Sequence, residues 1–293
     1  MDYQEFKRKL MEVLSKEMEQ EVKLSFQQIP KNNGIMLEAI VIEKKEENIS
    51  PIIYIQEYFE FWKKGVTMEQ IVEKILWSCT QCEPRVRLTQ EIFQNYDKMK
   101  SHIYYKVINY ERNREQLRDI PHKRILDLAM VFYYEMADSQ FPSTVTIRNS
   151  HLKMWKISQE ELEVNAKKYT WLNKPAEFIT MDEIAGMGEE EFSELLEEDS
   201  LPMYVLTNKQ KMFGAGVIFY PGILELIESI LGDHFYILPS SVHECILVPE
   251  KGNYTQEELV SMVTEINEEH VEPGEVLADQ AYYYLKKDKR IYI

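Results

Sequence analysis

Hydrophobic and polar residues follow a regular pattern between residues 202 and 250, where short apolar runs alternate with turn residues. The runs are 203–206, 215–220, 235–238 and 242–248. Each has the length and composition of a β-strand. Apolar residues from 223 to 231 recur at helical spacing, which predicts a helix with Pro221 at its start and Gly232 at its end. We therefore expect two strands, a helix and then a β-hairpin.

The predicted hairpin brings reactive residue types together. Ser240 and Ser241 lie in its turn, and His243, Glu244 and Cys245 lie on its second strand, which we expect to be buried inside the protein. Since successive side chains of a strand point to opposite faces, Ser241, His243 and Cys245 should share one face and Glu244 should lie on the other. His243 and Glu244 are therefore not expected to pair with each other.

Capped helices and short strands fill the rest of the chain. Capping boxes at Thr67, Ser158 and Thr255 predict helix starts, and Asp2 caps a first helix. Asn33-Gly34 predicts a hairpin between the strands on either side. Further helices are predicted at 58–65 and 88–99, and further strands at 22–26, 35–42, 49–55, 103–109, 125–134, 145–148 and 282–285. This order predicts an α+β protein with mixed or antiparallel sheets and amphipathic helices packed on one face.

A strongly acidic segment divides these elements into two sequential halves. Residues 176–200 are rich in Asp and Glu and contain no Lys or Arg. We expect an N-terminal α+β part at 1–175, an acidic connector at 176–200 and a C-terminal α+β part at 201–293. The connector lacks the ligand spacing of a calcium-binding loop, so a solvated linker is favoured.

Composition narrows the classes of partner. With 293 residues, 44% of them hydrophobic, the chain can bury a substantial core. Its formal net charge of −16 opposes binding to nucleic acid and to anionic membranes. The sequence shows no secretion signal, no membrane-spanning run and only three cysteines, which favours a reducing, cytoplasmic location.

Several segments carry a resemblance to a known family. They are Asn32-Asn33-Gly34, the run at 49–55, INYERNREQLRDIPH at 108–122, LDLAMVFY at 126–133, YVLTN at 204–208, YPGIL at 220–224 and LPSSVHE at 238–244. Over nearly its whole length the chain resembles an uncharacterised domain-of-unknown-function family of gut Firmicutes. That resemblance implies a bacterial protein, and it implies no activity, cofactor, partner or site residue.

The hairpin allows two hypotheses. A Ser–His or Cys–His pair formed by Ser241, His243 and Cys245 would suit a hydrolase-type enzyme. The sequence offers neither a strained strand-to-helix elbow nor an oxyanion loop, which favours a turn fixed by serine hydroxyls and a hydrogen-bonded histidine. Glu244 on an apolar face would need a partner, and we expect a structural ion pair. Without one, its pKa should rise and it would become a site candidate.

A charged segment at 108–122 is the second candidate. Arg112, Arg114, Arg118 and His122 lie near a predicted strand end and could bind an anion or an acidic partner surface. A solvated connector with surface ion pairs is the competing interpretation.

Cys79 and Cys82 form a C-x-x-C pair near the predicted end of a helix, where the helix dipole does not favour a thiolate. No second pair completes a zinc site and no glycine-rich phosphate loop is present, so we expect neither metal nor cofactor. We predict a non-enzymatic binding protein acting on a protein or small-molecule partner, with the hydrolase as the alternative.

Overall fold

The computed structural model describes residues 2–18, 22–44, 52–81, 93–136, 144–180, 203–250 and 254–293. Helices and antiparallel sheets alternate in these ranges, so the predicted α+β class is confirmed. The chain forms two compact units. The N-terminal unit contains Met1–Lys98 with Glu135–Thr144, and the C-terminal unit contains Met99–Tyr134 with Val145–Ile293.

The N-terminal unit packs helices on a three-stranded sheet of order β1-β2-β3. Its elements are α1 (Tyr3–Glu17), β1 (Val22–Pro30), β2 (Met36–Lys44), β3 (Ile52–Tyr54), α2 (Gln56–Lys63) and α3 (Met68–Gln81). The predicted hairpin is confirmed, because β1 and β2 pair on either side of Asn33 and Gly34, whose φ angles of 61° and 71° suit these residue types. Phe6, Leu10 and Ile71 are fully buried between the helices and the sheet.

The remaining elements begin at the boundary of the two units. They are α4 (Tyr96–Met99), β4 (Ile103–Asn109), α5 (Arg114–Leu117), β5 (His122–Ile125), β6 (Leu128–Glu135), β7 (Thr144–Thr146), α6 (Asn149–Trp155), α7 (Gln159–Asn173), β8 (Ala176–Thr180), β9 (Tyr204–Asn208), α8 (Ile223–Leu231), β10 (His234–Leu238), β11 (Cys245–Pro249), α9 (Gln256–Glu269), β12 (Tyr282–Leu285) and β13 (Arg290–Tyr292). Of the helix predicted at 88–99, residues 88–92 lie outside the described residues.

The C-terminal unit contains a four-stranded sheet in which one strand prediction is wrong. The run at 125–134 is not a single strand, because β5 and β6 form a tight hairpin in which Ile125 pairs with Leu128. Leu126 turns the chain with a φ of 57°, and the Asp127 carbonyl accepts a hydrogen bond from the Tyr110 N–H at 2.9 Å. The sequence concealed this turn because an apolar residue occupies it.

A six-stranded sheet of order β13-β12-β10-β11-β9-β8 forms the rest of the C-terminal unit. The predicted hairpin is confirmed, since β10 and β11 are antiparallel and Leu238 pairs with Ile246. The second strand is buried as expected, although it begins at Cys245 and not at residue 242. The β13 strand was not predicted.

The predicted strand at 215–220 is wrong. Gly214–Phe219 forms a buried 3₁₀ helix that packs closely on its neighbours. A Cβ atom on Gly214 would lie 2.2 Å from Thr207 Oγ1 and 2.5 Å from the His243 carbonyl oxygen. The helix that follows begins at Ile223 with Gly222 as its N-cap, so Pro221 precedes it, while Gly232 ends it as predicted.

The helix caps agree with the sequence. Thr67 exchanges hydrogen bonds with Gln70, and Thr255 does so with Glu258. Ser158 accepts from the Glu161 N–H at 3.1 Å. These bonds satisfy N–H groups that have no partner inside the helix.

Residues 176–180 of the predicted connector form β8, which pairs with β9, and residues 181–200 lie outside the described residues. The boundary between sequential halves therefore stays a prediction. Within the described ranges, no helix combines the length and apolar character that a bilayer crossing requires.

Candidate functional site

The hairpin pocket is a depression of about 310 Å³ in the C-terminal unit. Its lining residues are Lys211, Ser241, His243, Glu244, His270, Val271 and Glu275. Lys211 comes from the turn after β9, the central residues come from the loop between β10 and β11, and the last three follow the end of α9. Residues far apart in sequence thus supply one polar surface.

Backbone hydrogen bonds join the walls of the pocket. Segment 239–242 pairs with segment 275–278 through an antiparallel bridge between Ser241 and Val276. The Val242 N–H donates to the Glu275 carbonyl at 2.9 Å, and the Val242 carbonyl accepts from the Ala215 N–H at 3.3 Å. Because these groups are already paired, Val242 cannot join the β10–β11 ladder, which is why the strand starts later than predicted.

His243 is fixed on three sides. Its Nδ1 accepts a hydrogen bond from the Phe213 N–H at 3.3 Å, and its ring stacks on the Phe213 ring with centroids 5.7 Å apart. Its Nε2 lies 3.3 Å from Glu275 Oε1. A neutral imidazole has one acceptor nitrogen, and here that nitrogen is Nδ1, so Nε2 carries the proton and donates it toward the glutamate. His243 therefore holds Glu275 in place and has no nitrogen left to act as a base.

Ser241 does not contact the imidazole through its hydroxyl. Its Oγ accepts a hydrogen bond from the His243 backbone N–H at 3.0 Å. Ser240 is also buried, and its carbonyl accepts from the Leu277 N–H at 2.8 Å. The Ser241 hydroxyl group thus stabilises the loop, as expected, whereas Ser240 stabilises it through its backbone.

In the described part of the chain, the Glu244 side chain has neither the direction nor the ion-pair partner that we predicted. His243 and Glu244 both line the pocket, so they do not point to opposite faces, because both residues precede the strand that would enforce the alternation. Burial raises the pKa of the Glu244 carboxyl, the Glu275 carboxylate raises it further, and His243 and the Ser241 hydroxyl oppose this rise. Among the described residues, Glu244 forms no ion pair with a Lys or Arg.

Cys245 lies outside the pocket, in the interior. Its side chain is fully buried in β11, and its thiol points to the Ala215 carbonyl at 3.7 Å. Burial raises the pKa of the thiol far above its ordinary value. A thiol without access to solvent or to the thiolate form cannot attack a substrate.

Other residues that shape the site escaped sequence reasoning. Thr207 Oγ1 donates to the His243 carbonyl at 2.7 Å, and Gly214 leaves room for this contact. Glu275 lies after α9, the helix that follows β11, and no spacing rule connects it to His243. The closely spaced glycines at 214 and 216 were the available signal, since glycine inside an apolar run often marks a close backbone approach.

The charged segment at 108–122 forms several separate contacts, and its binding of an anion or an acidic partner stays a prediction. Arg112 makes a two-pronged ion pair with Asp279 at 2.7 and 2.8 Å, and Asn109 donates to the Leu277 carbonyl at 3.0 Å. Arg114 lies 3.9 Å from Glu111, Arg118 lies 2.7 Å from Glu115, and His122 contacts the Ile120 carbonyl through Nδ1 at 2.8 Å. The segment thereby supports residues 277–279, next to the pocket wall.

The other candidates add no chemistry to the site. Cys79 lies near the end of α3, as expected, and Cys82 lies outside the described residues. Within the part of the chain that the structure describes, no group of His, Cys, Asp and Glu side chains is placed to hold a metal ion.

Comparison with known proteins places the chain without assigning it an activity. No curated protein and no solved structure matches it. A family of unknown function, DUF5688, matches residues 3–286, which include the whole hairpin pocket. The chain therefore belongs to the DUF5688 family.

Proposed function

We propose that this protein is a non-enzymatic binding protein of the bacterial cytoplasm that takes a small polar ligand in the hairpin pocket. One observation carries the proposal. The acceptor nitrogen of His243 is engaged by the Phe213 N–H, while the charged side chains of the pocket remain accessible around a concave surface. Such a concave, charged site suits recognition, and both nitrogens of the His243 imidazole are already engaged.

The charges in the pocket favour a zwitterionic ligand such as a free amino acid or a similar small molecule. Glu275 offers a carboxylate that is half-exposed and oriented by His243, which suits an ammonium group. Lys211 offers an ammonium group for a carboxylate, and its backbone is held at a φ of 52°, a conformation that a lysine rarely adopts. A volume of about 310 Å³ suits a small ligand.

The alternative is a hydrolase that uses Ser241 as nucleophile. It would require the Ser241 hydroxyl to donate to an unprotonated imidazole nitrogen. Instead, the Ser241 Oγ accepts from the His243 backbone N–H, and the Phe213 N–H occupies Nδ1 of His243. The geometry supports the binding hypothesis over this one.

A ligand screen tests the proposal. A panel of free amino acids, amines and small organic acids is screened against the full chain by thermal shift, and affinities of the hits are measured by calorimetry. We expect Glu275→Gln or Lys211→Met to weaken binding about tenfold or more, the usual effect of losing a charged hydrogen bond. The matched controls Glu272→Gln and Lys209→Met, at exposed neighbours that do not line the pocket, should bind as the unmodified chain does.

Two results would contradict the proposal. One is a set of hits whose affinities are the same in the pocket variants and in their controls. The other is hydrolysis of ester or peptide substrates by the full chain that disappears in Ser241→Ala, which would establish the hydrolase.

A further inference from the structure

A second concave surface lies in the N-terminal unit, along α1 and α3. This helical groove has a volume of about 490 Å³ and is lined by Val13, Glu17, Glu69, Val72, Glu73, Leu76 and Trp77. Trp77 is 59% exposed, although large apolar side chains are usually covered in a folded protein. The groove combines an apolar floor with acidic residues.

The helical repeat explains how the groove forms. Positions 69, 72, 73, 76 and 77 of α3 recur at three- and four-residue spacing, so they share one side of the helix. Met68, Ile71 and Ile75 form the adjacent stripe, which is buried in the core of the unit. Val72 is also buried in this core and Leu76 packs against it, so Trp77 supplies most of the accessible apolar surface that α3 presents to the groove.

The acidic side chains of the groove differ from their neighbours. Nearby glutamates on the same unit are neutralised: Glu12 pairs with Lys16, and Glu60 pairs with Lys63. Within the described ranges, Glu17, Glu69 and Glu73 are in no ion pair. No Lys or Arg is among the groove residues. Among the described residues, the groove thus presents carboxylates outside ion pairs beside accessible apolar area. A backbone hydrogen bond, the Thr67 hydroxyl and the charge of Lys9 lower the pKa of Glu69, which keeps this carboxylate ionised.

We propose that the helical groove docks a basic amphipathic helix of a partner protein. Apolar side chains of that helix would pack on Trp77 and on the accessible part of Leu76, and its Lys or Arg residues would meet the glutamates. A second copy of this chain is disfavoured, because its net charge of −16 would bring like charges together. The strip from 69 to 77 spans about 12 Å, or about two helical turns, which is long enough to seat successive anchors of a helix.

Peptide selection on the full chain tests this inference. A displayed library of random peptides of about 16 residues, enough for about four helical turns, is selected on the unmodified protein. It is counter-selected on the Trp77→Ala variant. We expect the enriched sequences to place large apolar residues at helical spacing with Lys or Arg beside them. An enriched peptide is then synthesised, and its affinity is measured by fluorescence anisotropy at low and high salt.

Matched variants separate the groove from general effects of charge and aromatic content. Trp77→Ala should weaken the peptide about 30-fold, as for an interface hot spot. Glu73→Lys should weaken it about tenfold, and added salt should weaken it in the unmodified chain. The controls Trp171→Ala and Glu265→Lys change an exposed Trp and an exposed Glu of the other unit and should leave the affinity unchanged.

The inference fails if selection yields no peptide that depends on Trp77, or if the enriched sequences lack basic residues. It also fails if sedimentation shows a dimer that Trp77→Ala dissociates, since the groove would then bind a second copy. Because both substituted side chains are exposed, the folded state of each variant can be verified by circular dichroism before binding is measured.

Discussion

The hairpin pocket and the helical groove are both concave, yet they are built in opposite ways. In the pocket, main-chain bonds hold polar side chains, as when the Phe213 N–H fixes His243 and the Ser241–Val276 bridge fixes the wall. In the groove, the helix backbone is regular and recognition depends on exposed side chains such as Trp77. Substitutions that disturb the main-chain bonds of the pocket should therefore reduce stability, whereas substitutions of exposed side chains in the groove should reduce only binding.

The largest effect is expected at Gly214. Gly214→Ala places a methyl group against Thr207 Oγ1 and the His243 carbonyl, neither of which can move freely, and should destabilise the protein by about 3 kcal/mol or more. Denaturant unfolding measures the loss. Gly65→Ala is the control, because nothing lies within 4 Å of its Cβ position, so it should cost only the strain of a positive φ (+93°), about 1–2 kcal/mol. Equal stability of the two variants would mean that the pocket tolerates rearrangement.

A smaller effect is expected at the cap of α9, the helix that leads to His270. Thr255 and Glu258 exchange hydrogen bonds at its first turn. Thr255→Ala should cost about 1 kcal/mol in unfolding free energy, whereas Thr255→Ser should cost much less because it keeps the hydroxyl. If ligand affinity at the hairpin pocket falls along with stability, the helix end positions the pocket wall.

The pH dependence of Glu244 gives the next comparison. Its pKa is raised in the folded protein from the ordinary value of 4.5, so the native state resists losing this proton. The stability contributed by the protonated form is present below pH 4.5 and is lost as pH rises through the native pKa. Glu244→Gln should therefore be more stable than the unmodified chain at pH 7, by up to about 1 kcal/mol, the scale of single polar substitutions.

Thermal melts from pH 4 to pH 8 test the sign of that difference. The stability advantage of Glu244→Gln over the unmodified chain should shrink toward acid pH. Glu272→Gln, at an exposed neighbour, should show no such trend. If Glu244→Gln instead loses stability relative to the unmodified chain as the pH rises from 4 to 7, the Glu244 carboxylate is stabilised in the native pocket.

The smallest effect is expected at Trp77. Because its side chain is 59% exposed, Trp77→Ala should change the unfolding free energy by no more than about 0.5 kcal/mol. Ile71→Ala, on the buried side of the same helix, should cost about 3 kcal/mol. A large loss at Trp77 would show that this side chain belongs to the core and would weaken the contrast between the two surfaces.

Local signals predicted much of the fold. The hairpin at Asn33-Gly34, the capping boxes and the β10–β11 hairpin depend on residues within a few positions of each other, where backbone preference acts directly. The α+β class followed from the same patterns.

Predictions failed where distant contacts override local preference. The apolar run at 215–220 has strand composition, but Gly214 and Gly216 let it pack as a 3₁₀ helix against neighbouring backbone and Tyr105. Alternation also misplaced Glu244, because Val242 bonds to Glu275 and leaves the ladder. Sequence reasoning found Ser241, His243 and Glu244 but not Glu275, since only the folded chain brings that residue to them.

The bond from Asn109 to Leu277 has a consequence for the order in which the protein folds. It joins residues 168 positions apart, and contacts of such long range form late because closing the chain costs conformational entropy. We expect the wall that carries Glu275 to be among the last parts to settle. During synthesis, a nascent chain that has emerged from the ribosome only as far as β11 would already have its hairpin, but it could not yet capture a ligand.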